Sequence, residues 1–281
     1  MSSSAAFLAD RAVLRVEGAD AVEFLQGIVT NDVAKLAPGA ARYAALLTPQ
    51  GKILFDFFLA PTPSEAPAFL IDCPAALAGD LVRRLTMYRL RAKLTISDQS
   101  AERGVVAIWG GEAAARVGVA FADPRAEGLG ERVILPRAEA QAFGEQALGA
   151  YEALRIGLGV PKGGVDFAYG DAFPHDADMD LFNGVDFAKG CYVGQEVVSR
   201  MKHRGEARKR VVRVRLAGPA PAPGALVTDG ALTIGSLGAA AGLQALALLR
   251  LDRVAEAKAA GRPLAAGAVA LTVEDAAAKS D

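Results

Sequence analysis

Apolar positions in the first part of the chain come in short runs separated by polar turns. Residues 13–16 (VLRV) alternate weakly and stop at Glu17-Gly18-Ala19-Asp20. This predicts a strand, then a helix capped by Asp20 that turns Val22, Phe24, Leu25 and Ile28 inward. Residues 42–60 (RYAALLTPQGKILFDFFLA) form two strand-like runs around Thr48-Pro49-Gln50-Gly51, a β-hairpin with a loop longer than two residues. Its second arm is apolar except for Lys52 and Asp56, and a carboxylate there is costly unless it is partnered or faces a cavity. After the Pro-rich break at 61–67 come a strand (68–72), a helix (about 75–87), and strands at 94–98, 104–109 and 132–135.

Leu148 to Leu158 reads as an amphipathic helix ended by Gly159-Val160-Pro161. Residues 163–186 are rich in Gly and Asp and lack periodicity, a loop length that is uncommon unless functional. A short helix follows Gly194 and is expected to stop near Gly205. From residue 210 onward short strands with Gly/Pro punctuation predict a small β-rich domain. The 281 residues suffice for two or three domains.

Composition narrows the function classes. The formal net charge is −1, which gives no global pull on nucleic acid or anionic membrane. No run of 18 uncharged apolar residues occurs, and the opening MSSSAAFLADRAV does not read as a secretory signal. Two cysteines, Cys73 and Cys191, are too few for a disulfide framework or a four-cysteine metal site. A reducing, cytoplasmic setting is expected.

The chemistry concentrates in Phe187-Ala188-Lys189-Gly190-Cys191-Tyr192-Val193-Gly194-Gln195-Glu196. A cysteine between glycines, beside a lysine and just before a helix, sits where positive charge and free N–H groups favour the thiolate. A buried structural cysteine in a turn is the alternative. Cys73, ending an apolar strand, is expected to be structural. His175 is a candidate helper of Cys191 or a structural hydrogen-bonder. The carboxylates around Asp176, Asp178 and Asp180 do not complete a calcium loop, since Leu181 stands where glycine is needed. The basic run from Arg200 to Arg215 lacks aromatic interleaving; it is expected to be a solvated face, with an acidic protein, RNA or the tail of a folate as alternatives.

KGCYVGQE resembles the KGCYxGQE motif of YgfZ-type proteins. Asn183-Gly184-Val185-Asp186-Phe187 before it and the basic residues after it agree. So do Phe24-Leu25-Gln26-Gly27, Thr30-Asn31-Asp32, Leu47 to Ile53, and Tyr88-Arg89-Leu90-Arg91-Ala92-Lys93. The resemblance spans nearly the whole chain in order. It places the chain in the YgfZ family of the glycine-cleavage T-protein superfamily, closest to the alphaproteobacterial and mitochondrial branch implicated in maturing [4Fe-4S] proteins.

The resemblance implies an α+β, three-domain cloverleaf around a central folate-sized cavity, with a C-terminal β-rich, barrel-like domain. Residues 1–48 plus 150–205 would form a discontinuous first domain carrying the motif, 49–149 an inserted second, and 206–281 the third. Carried over residue by residue, Lys189, Gly190, Cys191, Tyr192, Gly194, Gln195 and Glu196 make the reactive segment. Cys191 would be a shared ligand for iron or a transient cluster. Tetrahydrofolate or a derivative would meet Asn31, Asp32 and Asp56, with Arg89, Arg91, Lys93 and Arg155 at its glutamate tail. The alternatives for these residues are local capping and plain surface charge. Two carboxylates of the aminomethyltransferase are missing: Phe55-Asp56 stands for an Asp pair, and Gly157 for the pterin-binding Glu.

The implied role is a folate-binding accessory factor for iron–sulfur assembly or repair, acting through the Cys191 thiolate without conventional turnover. Its partners would be cluster assembly or carrier proteins and client enzymes, with no membrane or nucleic acid. A tetrahydrofolate-dependent one-carbon transferase and an RNA-binding factor are the alternatives.

Overall fold

The computed structural model describes residues 3–111, 118–203 and 207–274. The chain divides into two compact units, 1–151 with 180–195 and 152–179 with 196–281.

In the first unit the order is β1 (Ser4–Phe7), β2 (Arg11–Glu17), α1 (Ala21–Ile28), β3 (Arg42–Leu47), β4 (Ile53–Pro61), β5 (Ala68–Pro74), α2 (Ala78–Arg89), β6 (Thr95–Asp98), β7 (Arg103–Trp109), β8 (Val119–Ala122), β9 (Glu131–Pro136), α3 (Arg137–Gln141) and the start of α4 (Leu148–Gly157). These strands make two antiparallel sheets, one ordered β3-β4-β5-β2-β6 and one ordered β1-β7-β9-β8.

The period of two along a strand gives the five-stranded sheet two different faces. Leu14 and Val16 of β2, Phe55, Phe57 and Leu59 of β4, and Phe69, Ile71 and Cys73 of β5 join one core with Leu25 of α1 and Leu81 and Leu85 of α2. The alternate residues point the other way. Tyr43 stands opposite Phe58, Phe58 opposite Asp72 and Asp72 opposite Val13. That row runs across four strands, with Arg11 and Asp56 two residues off it on the same face.

This second face is ionic. Asp72 accepts from Arg11 Nε at 2.6 Å and from Arg132 Nε of β9 at 2.7 Å, and Asp72 is fully buried. Arg125 forks onto Asp123 at 3.0 and 2.7 Å. The Phe58 ring lies under three guanidiniums, Arg132 at 4.4 Å, Arg125 at 4.8 Å and Arg11 at 5.7 Å. Asp56 accepts from the Tyr43 hydroxyl at 2.9 Å, which is how the apolar arm carries its carboxylate. Three Arg and three Asp therefore join the two sheets without excess charge. Burial would lower the Arg11 pKa, but Asp72 and Asp56 raise it above its ordinary value.

The second unit completes α4 and continues through α5 (Gln195–His203) and β10 (Lys209–Leu216), β11 (Leu226–Thr228), β12 (Thr233–Ala241), β13 (Gln244–Arg250), α6 (Leu251–Ala259), β14 (Leu264–Ala266) and β15 (Val269–Val273). Its strands close into a barrel ordered β10-β13-β12-β11-β14-β15. Val214, Leu216, Leu237, Leu249 and Leu271 fill the core, and Ala257 of α6 joins them. The loop after α4 uses its carboxylates internally. Asp166 accepts from Arg155 at 2.8 Å and from Ala239 N–H at 2.7 Å, which ties α4 to β12. Asp178 pairs with Arg210 at 2.7 Å, and Asp176 caps Phe173 N–H at 3.0 Å.

One local expectation changes, one helix is added and one expectation goes untested. Asp20 makes no side-chain cap on α1; its carboxylate instead accepts from Lys93 N–H at 2.7 Å. The helix α6 was not readable from the Ala-rich pattern. The predicted end of α5 near Gly205, with Arg204 and Glu206 of the basic run, lies outside the described residues.

Removing Asp72 leaves two guanidiniums buried without their carboxylate. Asp72→Ala should lower unfolding free energy by about 3–5 kcal/mol in chemical denaturation at pH 7. Asp123 adds a pH signature. Burial pushes its carboxyl up, but Arg125 and Arg132 outweigh this and hold it below the usual range. Its stabilising contribution is present above the unfolded value of about 3.9 and is lost as pH falls through the lower folded value. Below about pH 4 the wild type should lose stability more steeply than Asp123→Asn, so that the two converge in acid.

Candidate functional site

The motif segment is built outward from the carbonyl end of α1. The last turn of a helix leaves C=O groups without intrahelical donors. Here the Lys189 ammonium fills them, donating to Gln26 O at 2.8 Å, Val29 O at 2.6 Å and Asn31 O at 2.9 Å. All three ammonium hydrogens are used, and a cation at this end suits the helix dipole. Burial draws the ammonium down to about 8, against the pull of Asp32 and Asp186. Lys189 is thus an anchor; its charge meets carbonyl oxygens, not the thiol of Cys191 as the sequence suggested.

The segment before it is stitched down in the same region. Thr30 donates its hydroxyl to Gly184 O at 2.6 Å and accepts from Ala45 N–H at 2.8 Å. Asp186 N–H donates to Thr30 O at 3.0 Å, and its carboxylate accepts from the N–H groups of Ala188 and Lys189 at 2.8 and 3.1 Å. Sequence reading missed Thr30 and Asp186 as supports. The signal for Asp186 was there, as an Asx-type residue three positions before a buried lysine.

Tyr192 is the second anchor. Its ring lies 5.1 Å from Lys189 Nζ, and burial, then Asp186, push its hydroxyl up to about 12. Val193 packs on the core of α1 and α2. Gly194 has φ +83, and a Cβ on it would stand 2.6 Å from Thr48 O and 3.1 Å from Gly51 Cα of the β3–β4 turn. Only glycine fits there. Gln195 N–H donates to Tyr192 O at 3.2 Å as α5 begins, and Glu196 on its first turn pairs with Arg200 at 2.5 Å.

Between the two anchors Gly190 and Cys191 face outward. Cys191 is exposed, whereas Cys73 is buried. Burial pushes the Cys73 thiol up to about 12. A Cβ added to Gly190 would meet nothing within 4 Å. The result is one accessible sulfur held in direction by buried neighbours on both sides.

The residues assigned to folate are used otherwise. Asn31 donates both amide hydrogens, to Tyr43 O and Asn183 O, and accepts from Asp32 N–H. Asp32 pairs with Lys35 at 2.8 Å and accepts from Gln26. That pairing, led by the Lys35 hydrogen bond, lowers its pKa against burial. Asp56 holds Tyr43. Arg155, fully buried, donates to Glu152, Asp166 and Val160 O. Arg89 donates to Leu94 O at 3.4 Å, and Arg91 is exposed. With their polar atoms turned to the chain, Asn31, Asp32, Asp56 and Arg155 do not fit a folate-holding set. At Gly157 a Cβ would touch only Gln244 Oε1 at 3.8 Å, so packing does not enforce the loss of the glutamate. His175 is buried in the second unit, where its carbonyl accepts from Arg210 at 3.1 Å.

Two glycines of one motif should behave differently. Gly194→Ala should cost about 1–3 kcal/mol, since it combines a left-handed φ with a backbone clash. Gly190→Ala should stay within about 0.5 kcal/mol. Lys189→Met, which strands three carbonyls, should cost about 1–3 kcal/mol. Urea denaturation of the purified chain checks all three.

Comparison with known proteins agrees with this architecture. Residues 9–126 match the GCVT N-terminal domain, and residues 208–278 match the CAF17 C-terminal beta-barrel domain. The crystal structure of glycine cleavage system aminomethyltransferase T from Bartonella henselae superposes with a TM-score of 0.75 over 97% of this chain and 85% of that one. At 20% identity it establishes the T-protein-like fold alone. Among relatives, the mitochondrial iron-sulfur cluster assembly factor IBA57 of Mus musculus is 35% identical over 280 residues, covering 87% of this chain and 76% of its own. The Homo sapiens protein is 35% identical over 274 residues, again 87% and 76%. The Coccidioides immitis homologue is 36% identical over 238 residues, 74% of this chain and 56% of its own. These relatives are named as mitochondrial, which overturns the cytoplasmic setting expected from the cysteines. Free thiols report a reducing milieu, and more than one compartment supplies one. The relatives also refine the YgfZ resemblance: by identity and coverage, the chain belongs to the IBA57-type, CAF17 family of iron–sulfur cluster assembly factors within the GCVT-like superfamily.

Proposed function

We propose that the chain serves iron–sulfur protein assembly by lending the Cys191 thiolate as one ligand to iron or a cluster, the cargo, while a partner protein supplies the others. The observation that carries this reading is the exposed sulfur of Cys191 fixed between the buried anchors Lys189 and Tyr192. A thiolate is the cluster ligand, and a cluster takes four protein ligands. Among the described residues no three His, Cys, Asp or Glu side chains are grouped to hold a metal ion. One sulfur therefore shares its cargo. On binding, the thiol proton leaves to solvent as the metal–sulfur bond forms. Partners of this chemistry are cluster assembly or carrier proteins and their client enzymes, in keeping with the family.

The residues divide the work. Lys189, Tyr192 and Gly194 set the direction of the sulfur, and Gly190 leaves the approach open. The one-carbon transferase alternative has less behind it, since Asp56 is committed to Tyr43 and Gly157 offers no carboxylate.

The test is replacement of the only cellular copy by Cys191→Ala. The purified variant should keep the melting temperature of the wild type, because the side chain is exposed. Cells carrying it should lose [4Fe-4S] enzyme activity to the level of cells lacking the protein. Full activity with Cys191→Ala would sink the reading.

A further inference from the structure

The end of α2 carries a feature that neither the core nor the Cys191 segment uses. α2 closes at Leu90, a bulky residue with φ +46 and ψ −106. Glycine reaches that region freely, and a leucine only under strain. Leu90 is also 86% exposed, and Met87, one turn back, is 68% exposed. The chain thus holds a leucine in an unfavourable backbone conformation and sets its apolar side chain in water. Neither cost has a counterpart in the packing of the unit.

The surroundings say what would cover it. From residue 81 to residue 97 the chain carries five cations, Arg83, Arg84, Arg89, Arg91 and Lys93, and no carboxylate. Acids beside the stretch are engaged or lie beyond: Asp80 pairs with Arg83, Glu17, opposite Thr95, pairs with Arg15, Asp20 accepts from Lys93 N–H, and Asp98 ends β6. An apolar centre of Leu and Met with a cationic rim matches a protein surface that offers an apolar socket edged by Asp and Glu. Four of the five cations are arginines, whose planar forks engage carboxylates bidentately. Two apolar side chains make a small membrane anchor. Tyr88, the aromatic residue of the stretch, packs on the core and is not displayed for base stacking.

The mount is firm. Tyr88 and Ala92, on either side of Leu90, pack on the core that also seats Val193 beside the Cys191 segment. A partner held at Leu90 is therefore held to the same packed core as the segment that carries the thiol.

We infer that the Met87–Leu90 knob with Arg89, Arg91 and Lys93 is the docking surface for an acidic partner protein. Its cellular readout rests on the assembly role proposed above.

Leu90→Gly separates folding from docking. It relieves the backbone and removes the knob, so the melting temperature should hold or rise while [4Fe-4S] enzyme activity in cells falls to the Cys191→Ala level. Arg89→Glu with Arg91→Glu should fall likewise, with its fold unchanged by circular dichroism. In parallel, p-benzoylphenylalanine at position 87 of the full chain should cross-link in cells to a peptide rich in Asp and Glu. That adduct should vanish with the Arg-to-Glu pair and return when the carboxylates of the peptide are changed to Lys. A drop in melting temperature for Leu90→Gly would show that Leu90 serves the fold and overturn the proposal. So would full cellular activity of both variants where Cys191→Ala fails, an outcome that leaves the assembly role standing. If Cys191→Ala is itself fully active, the assembly role falls, and the cross-link with its charge reversal decides the docking surface alone. Sedimentation of the wild type, but not Leu90→Gly, with phosphatidylcholine–phosphatidylserine vesicles would assign the knob to a membrane and overturn the proposal.

Discussion

The first unit rests on the burial of Asp72 between Arg11 and Arg132. A carboxylate at that depth is tolerable only with cations on both sides, and those cations come from two different sheets. The arrangement therefore dictates which strand faces meet. Arg132 of β9 reaches Asp72 of β5, Phe58 is enclosed by guanidiniums, and Asp56 is left to Tyr43. Buried ion pairs are weak sources of net stability, but a network this specific penalises any other register. A shift of one residue along β4 would bring Phe57 to the guanidiniums and turn Phe58 and its neighbours into the aliphatic core.

The same logic explains why the folate contacts expected from the superfamily do not form a set here. The chain retains several of the charged positions, yet uses them as internal fasteners. Arg155 and Asp166 join α4 to the barrel, and Asn31 spans β3 and the returning 183–186 segment. Residues that could face a ligand instead fasten the chain within each unit.

The sequence showed the main features of this fold through its strand periods and turns. The β3–β4 hairpin, α2, α4 and the barrel strands β10 to β13 followed from alternation and from Gly and Pro punctuation. Lone Asp56 in an apolar arm announced either a partner or a cavity, and Tyr43 is the partner. What escaped were effects of tertiary pairing. Asp20 looked like a helix cap because the rule is local, but Lys93 N–H, 73 residues away, takes its carboxylate. Lys189 looked like an electrostatic neighbour of Cys191 because sequence proximity suggests it, but the carbonyls at the end of α1 draw the lysine inward while Gly190 and Cys191 stay outside. α6 escaped because alanine marks neither face of a helix. The strain at Leu90 has no sequence signature at all, since nothing about leucine predicts a left-handed backbone.

Lys189 closes contacts with residues 163, 160 and 158 positions earlier in the chain. Contacts of such separation form late, after the intervening chain has collapsed and α1 exists to be capped. The sulfur of Cys191 thus acquires a direction only at the end of folding. A chain still emerging or partly unfolded carries the same thiol without an orientation, and so has nothing with which to align a cluster held by another protein. The lysine makes display of the sulfur a sign that folding is complete.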